Sequence, residues 1–338
     1  MIDDYKVNQI SFEDKIFIAG ANGMVGSAIK RCLIKKGYGD KEKNGEILSP
    51  SRKELNLLNR EEVERWFKKN SPDVVILAAA KVGGIHANES RPVDFLLENL
   101  KIEINVIELA WKMGTRRLIF LGSSCIYPKF AEQPIKEEFL LTGNFESTNE
   151  SYAIAKIAGI KLCSSLRKQY KFDALSLMPT NLYGPNDNYH LQNSHVIPAL
   201  IRKFIEAKSN STSVKCWGTG SALREFLHVD DLAEATIFAL EEWDYDSKSA
   251  PKDENGNKID FLNVGTGKEI SIKNLAEMIS EIIDYKGEII WDTSMPDGTP
   301  RKLLNVSKIH TLGWESKIPL KIGLEKTIKE YQEMNYLK

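Results

Sequence analysis

The sequence predicts an α/β fold: a doubly wound parallel sheet followed by a smaller C-terminal α/β domain. Three observations carry this reading. Short apolar runs alternate with amphipathic helical stretches through the first half of the chain. The run "DVVILAAA" (73–80) is apolar throughout, as a strand covered on both faces should be. The first run, "KIFIAG" (15–20), ends in glycine and leads straight into a helix.

The elements follow in order. After the first strand, Met24 to about Lys36 reads as a helix, with Val25, Ile29, Leu33 and Ile34 roughly on one stripe. "EILSP" (46–50) is a second strand and "NREEVERWFKKN" (59–70) a second helix. The third strand precedes a long helix over 92–113, and "RRLIFLGSS" (116–124) is the fourth strand. Another helix spans 151–170, and "ALSLMPTNLYG" (174–184) is a fifth strand with its loop. Beyond 184 the pattern loosens. Helices are expected at "SHVIPALIRKFIEAK" and "HVDDLAEATIFALEEW", with a short strand at "VKCWG". The polar stretch 244–260 reads as a surface loop. The recognisable elements of the C-terminal third are helical.

A chain of 338 residues suits two domains or one large α/β unit. Net charge is −1, from 46 basic and 47 acidic residues, with no basic arm or stripe, so a nucleic-acid partner is not expected. No apolar run reaches membrane-spanning length, and "MIDDYKVNQISFEDK" lacks the pattern of a signal peptide. Cys32, Cys125, Cys163 and Cys216 are widely spaced, which points away from a metal site or a disulfide framework. A soluble, cytoplasmic protein is expected.

"IFIAGANGMVGSAI" carries Gly20, Gly23 and Gly26 between a strand and a helix. That context is what dinucleotide binding requires. Gly20 permits the tight turn, Gly23 lets backbone approach a pyrophosphate, and Gly26 lets helix and strand pack closely. The helix N-terminus offers unpaired N–H groups to the phosphates. An NAD site usually has an acid at the end of the second strand. Here that end offers Ser49, Ser51, Arg52 and Lys53, which suit a 2′-phosphate, so NADP(H) is the expected cofactor. Residues 1–184 then form an NADP(H)-binding Rossmann domain and 185–338 mainly a substrate domain. Segments near 224–240 and 261–265 are expected to return to the first.

"SYAIAKIAG" places Tyr152 and Lys156 four apart, on one helix face. A lysine ammonium beside a phenol should lower its pKa, so that Tyr152 passes a proton to a carbonyl oxygen as hydride reaches the carbon. Ser123, at the end of the fourth strand, is placed to hold that oxygen.

With these three parts in order, the chain resembles the extended short-chain dehydrogenase/reductase family. The strings "AAAKVGGI" (78–85), "LGSSCIYPK" (121–129), "YAIAKIAGIKLC" (152–163), "MPTNLYGPNDN" (178–188), "NSHVIPAL" (193–200), "REFLHVDD" (224–231) and "PDGTPRKLL" (296–304) resemble, within it, the GDP-L-fucose synthases. The resemblance runs from about Lys15 to about Thr327. It implies an NADPH-dependent 3,5-epimerase/4-reductase acting on GDP-4-keto-6-deoxy-D-mannose.

The resemblance also assigns roles. Ser123, Tyr152 and Lys156 would serve the ketone and the hydride step. Cys125 and His195 would be the acid/base pair that inverts C3 and C5. A thiol and an imidazole, with ordinary pKa values near ~8.5 and ~6.5, suit such work. Cofactor contacts would come from the turn Gly20, Ala21, Asn22, Gly23, Met24, Val25 and Gly26, and from Arg52. Further contacts would come from Leu121, Gly122, Ser123 and Ser124, from Lys156 and His195, and from Pro179, Thr180, Asn181 and Leu182. Lys203, Trp217, Arg224 and Asp297 match sugar-nucleotide contacts. Some relatives carry a basic residue after the first glycine, where this chain has Ala21-Asn22, leaving more of the 2′-phosphate to Arg52. A homodimer through the long helices 92–113 and 151–170 is also implied.

Two bland readings compete. Cys125 could be an inert core thiol, and Trp217 could be ordinary packing. His228 is expected to support a strand end. Among other activities, a 4,6-dehydratase would need an acidic pair where Ser124 and Cys125 stand. A 4-epimerase would not need Cys125 and His195. A sensor without turnover would be expected to lose part of the Ser/Tyr/Lys set.

Overall fold

A computed structural model describes residues 9–190, 193–295 and 297–336. The acidic N-terminal segment up to residue 8 and Pro296 of the "PDGTPRKLL" string lie outside the described residues. In chain order the elements begin β1 (Lys15–Ala19), α1 (Met24–Lys35), β2 (Glu46–Leu48), α2 (Arg60–Asn70), β3 (Val74–Leu77), α3 (Ile85–Ser90), α4 (Pro92–Lys112) and β4 (Arg117–Leu121). Next come α5 (Glu150–Tyr170), β5 (Asp173–Pro179), β6 (Asn181–Tyr183), α6 (Val196–Asn210), β7 (Val214–Trp217), β8 (Leu223–His228) and α7 (Val229–Glu242). The chain ends with β9 (Phe261–Val264), β10 (Glu269–Ser271), α8 (Ile272–Ile283), β11 (Ile289–Asp292), β12 (Arg301–Lys302), α9 (Ser307–Leu312) and α10 (Leu320–Tyr336).

The main sheet is six-stranded and parallel, in the order β2-β1-β3-β4-β5-β9. All of β3 and β4 is buried, β3 as an unbroken apolar run and β4 with Arg117 at its start paired to Asp173. The strand order reverses beside β1, which opens a crevice at the carboxyl ends of β1 and β3.

Two apolar clusters form. The first surrounds the main sheet, and α7 and β9 contribute Leu232, Ile237, Leu262 and Val264 to it. The second joins α6, α8 and α10 through residues such as Ile201, Phe204, Leu275, Ile279 and Leu324.

Three expectations need correction. The predicted fifth strand is two elements, because β5 ends at Pro179 and β6 turns away to pair with β8. Thr180 makes the break, its N–H donating to Val264 O and its hydroxyl to Glu225 O. The strand read through Ala80 stops at Leu77. The C-terminal third adds β10, β11 and β12 to its helices, each two to four residues long and so too short for a period-2 signal.

Candidate active site

The glycine turn has the geometry its sequence implies. Gly20 sits at φ +91°, and a Cβ there would lie 2.7 Å from the Ala79 nitrogen at the end of β3. A Cβ on Gly26 would lie 2.1 Å from the Gly20 carbonyl oxygen. Gly23 differs, since its Cβ would meet only the Gly20 oxygen, at 3.6 Å. Nothing among the described residues crowds position 23, so a need for glycine there has to come from a ligand. Gly23 is also the N-cap of α1, with no side-chain cap and no acid in the first turn. The free N–H groups and helix dipole suit an anion, so the residues fit a dinucleotide phosphate. At the end of β2, Arg52 is exposed and Lys30, reaching over from α1, donates to Ser49 Oγ at 2.8 Å.

Strand β4 leads into the side chains expected to react. The chain leaves it at Gly122, whose N–H donates to Leu177 O and whose Cβ would strike the Met178 sulfur at 2.4 Å. Ser123 caps a short 3-10 turn, its hydroxyl accepting from the Cys125 N–H at 3.2 Å. Ser124 is buried and Cys125 half-buried, facing a narrow cleft of about 10 Å³. The Cys125 thiol has two close polar neighbours. Asn149 Nδ2 lies 3.4 Å from Sγ and Lys302 Nζ lies 3.5 Å from it. Cys125 therefore sits in polar, partly open surroundings rather than in the apolar core.

Helix α5 brings Tyr152 beside Ser123. The phenol's pKa is raised, first by burial and then by Cys125 and Glu103, while the Ser123 hydroxyl works in the opposite direction. The predicted lowering by Lys156 is absent. The reason is geometric. Lys156 is buried and its ammonium turns inward, donating to Leu121 O at 3.0 Å and pairing with Glu103 at 3.2 Å. It also lies 4.6 Å over the Phe120 ring and 5.9 Å over that of Tyr152.

The remaining residues come from the second half of the chain. Thr180 is buried, Leu182 is half-buried, and Asn181 donates to Glu225 O at 2.8 Å. His195 is the N-cap residue of α6 without a side-chain capping bond. It is open at the surface, yet surrounding protein pushes its imidazole below the usual histidine range. His228 caps α7 through a bond from Asp230 N–H to Nδ1, the supporting role expected of it. Trp217 is 51% exposed, which rules out ordinary packing. Lys203 Nζ lies 5.7 Å over its ring, and both line an open cavity of about 350 Å³. Arg224 has its pKa lowered by burial, opposed by Asp297, Glu146 and Cys125. Both Asp297 oxygens are taken by Thr219, one by its N–H at 2.7 Å and one by its hydroxyl at 2.9 Å. Asp297 thus fixes the turn that follows Trp217.

Sequence reasoning missed Lys30, Glu103, Asn149 and Lys302 as part of this region. Asn149 and Lys302 had no periodicity to mark them. Glu103 left a trace, since it falls on the buried stripe of α4 with Asn99, Val106 and Ala110, where a charge is out of place.

Comparison with known proteins decides the family. Residues 16–251 match the NAD-dependent epimerase/dehydratase family. The chain belongs to that family. Relatives within it include a probable GDP-L-fucose synthase 1 of rice, 53% identical, covering 94% of this chain and 92% of that protein. The GDP-L-fucose synthase of Escherichia coli K12 is 49% identical, covering 95% and 97%. Among solved structures, a GDP-mannoheptose C4 reductase from Campylobacter jejuni with NADP bound aligns with a TM-score of 0.84. It is 36% identical and covers 96% of this chain and 99% of that one. Among the described residues, no helix is long and apolar enough to cross a membrane and no acid, histidine or cysteine cluster could hold a metal.

Proposed function

We propose that this chain converts GDP-4-keto-6-deoxy-D-mannose to GDP-L-fucose with NADPH. Both C3 and C5 are inverted and C4 is then reduced. The observation that carries this reading is the convergence at the end of β4. Ser123 stands next to Tyr152, and two residues on Cys125 faces a cleft between Asn149 and Lys302. Identity near one half with GDP-L-fucose synthases supports the same substrate class.

The ketone at C4 acidifies the protons on both neighbouring carbons. Ser123 and Tyr152 would hold its oxygen and stabilise the enolate formed when a proton leaves C3 or C5. Cys125 and His195 would exchange protons with those carbons from opposite sides. A histidine held below its usual pKa is neutral at pH 7 and so able to accept a proton. NADPH, when bound, supplies the hydride to C4. Tyr152 would then donate its proton to the C4 oxygen. Arg224 would meet the diphosphate as a cation, and Lys203 and Trp217 would meet the nucleotide. Residues 1–184 with α7 and β9 would hold the cofactor, and the rest of 185–338 the sugar nucleotide. Gly23, the α1 N-terminus, Ser49, Arg52 and Lys30 would hold the phosphates of the cofactor.

The apolar faces of α4 and α5 support a homodimer. Val93 is 68% exposed, Leu97 47%, Ile104 45% and Ile154 43%.

The test is turnover of GDP-4-keto-6-deoxy-D-mannose with NADPH in D₂O, read by NMR. GDP-L-fucose with deuterium at C3 and C5 is the expected product. NADPH oxidation without deuterium at those carbons would mean a plain C4 reductase.

A further inference from the structure

The buried carboxylate beside Lys156 is left over by the mechanism above. Glu103 is 1% exposed, and neither of its oxygens makes a well-angled hydrogen bond to any group among the described residues. A buried carboxylate in that condition is costly and calls for a reason. The cation it faces is Lys156, with Nζ 3.2 Å from Oε1. Burial pushes the Glu103 carboxyl up to about 7, with Lys156 pulling the other way, so the carboxylate form dominates above that pH.

The space for this carboxylate is built by a third residue. Gly159 lies in the interior of α5, where glycine is unfavourable. A Cβ at that position would stand 2.9 Å from Glu103 Oε2 and 2.6 Å from the Phe120 ring. The gap at Gly159 admits the glutamate between α4 and α5.

An ammonium has three N–H groups. On Lys156 one goes to Leu121 O and one faces Glu103, which leaves one for a ligand. We propose that Glu103 is a positioning residue of the reaction: with Leu121 O it pins the Lys156 ammonium at the end of β4, so that the remaining N–H is presented to the hydroxyls of the bound cofactor. This rests on the assignment of Lys156 to the cofactor and hydride step. Glu103 acts through Lys156 and touches neither substrate nor cofactor.

The experiment is a double-mutant cycle on the full-length protein. Glu103→Gln, Lys156→Met and the pair together are compared for NADPH Kd by fluorescence, for kcat, and for KM of the sugar nucleotide. Glu103→Gln should weaken NADPH roughly tenfold or more. It should lower kcat on the order of ten- to a hundredfold and leave the sugar-nucleotide KM within about twofold of wild type. A general loss of packing would not produce that split. Added to Lys156→Met, Glu103→Gln should cost nothing more, since its partner is gone. Glu103→Asp, which keeps the charge, should restore part of the loss.

Glu103→Gln with wild-type NADPH Kd and kcat would overturn the proposal if Lys156→Met is impaired. An unimpaired Lys156→Met would instead overturn the role given to Lys156. If Glu103→Gln does not fold, the decision passes to Lys156→Met against the double variant. The double variant removes both charges and should fold. Equal NADPH Kd and residual rate support the proposal, and a further tenfold loss overturns it.

Discussion

Gly23 and Gly26 are three residues apart in one turn, yet the structure separates what each is for. Gly26→Ala places a Cβ 2.1 Å from the Gly20 oxygen and 2.8 Å from the Ala21 Cα. Both are backbone atoms, so no side chain can swing aside. Ordinary contact begins at 3.4 Å, so turn and helix must separate by about 1.3 Å, the difference of 3.4 and 2.1. An N–H···O bond tolerates about half an ångström. The helix N–H groups would then leave the reach of a phosphate, at about 1.5–3 kcal/mol per bond. Two lost bonds amount to roughly 150-fold or more in NADPH Kd. Gly26→Ala should also lower the melting temperature, because the same shift opens the packing of α1 on β1. In Gly23→Ala the new Cβ finds only one atom, 3.6 Å away. That variant should melt like wild type and still lose NADPH, because the methyl occupies the space the pyrophosphate needs. Fluorescence titration with NADPH and thermal melts on both variants decide it. If Gly23→Ala binds NADPH with unchanged Kd, the phosphates do not pass over this turn and the reasoning fails.

Other variants probe other parts. Cys125→Ser should retain NADPH binding and lose most deuterium incorporation at C3 and C5, on the order of a hundredfold or more, as expected for a lost acid/base group. Undiminished exchange would remove Cys125 from the epimerisation. Leu97→Glu, on the exposed stripe of α4, should give a monomer by sedimentation equilibrium with its melting curve unchanged at low protein concentration. A dimer that survives this change does not use that face. Asp187 gives a pH test. Its carboxyl is pushed up to about 7 by burial, against the pull of the Asn188 N–H, and its Oδ2 is buried without a partner. The folded pKa is above the unfolded one, so the stabilisation is fully present below about pH 4 and is lost as pH rises through about 7. Asp187→Asn should therefore gain on wild type between pH 4 and pH 8, by up to ~4 kcal/mol. Parallel stability curves over that range would refute the assignment.

The parts of the fold that were legible in the sequence are those with a long or strongly periodic signal. The strand β3 is an unbroken apolar run, β1 and β4 are apolar after their first residue, and α4 and α5 are 21 residues each. The turn around Gly20 was legible because glycine is the residue a φ of +91° favours. The strands β10, β11 and β12 were not legible, because two to four residues at a sheet edge carry no distinguishing pattern. The site divides in the same way. Ser123, Tyr152 and Lys156 declare themselves by position and spacing. Asn149 and Lys302 reach the Cys125 sulfur from 24 and 177 residues away, and no local pattern links them to it. Trp217 needed the structure, since the same letter fits a buried ring or an open one.

The Tyr152–Lys156 spacing shows where spacing stops being enough. Residues four apart share a helix face, and from that the ammonium was expected to lower the phenol's pKa. The structure turns the ammonium instead toward Leu121 O and Glu103. Burial raises the phenol's pKa, and Cys125 and then Glu103 add to it, so it is raised rather than lowered. A higher pKa keeps the phenol protonated but makes it the weaker acid. In the proposed reaction Tyr152 would then give up its proton only once hydride has turned the C4 oxygen into an alkoxide, which is a stronger base than a phenolate. The Ser123 hydroxyl, which works against the rise, is the neighbour placed to ease that transfer.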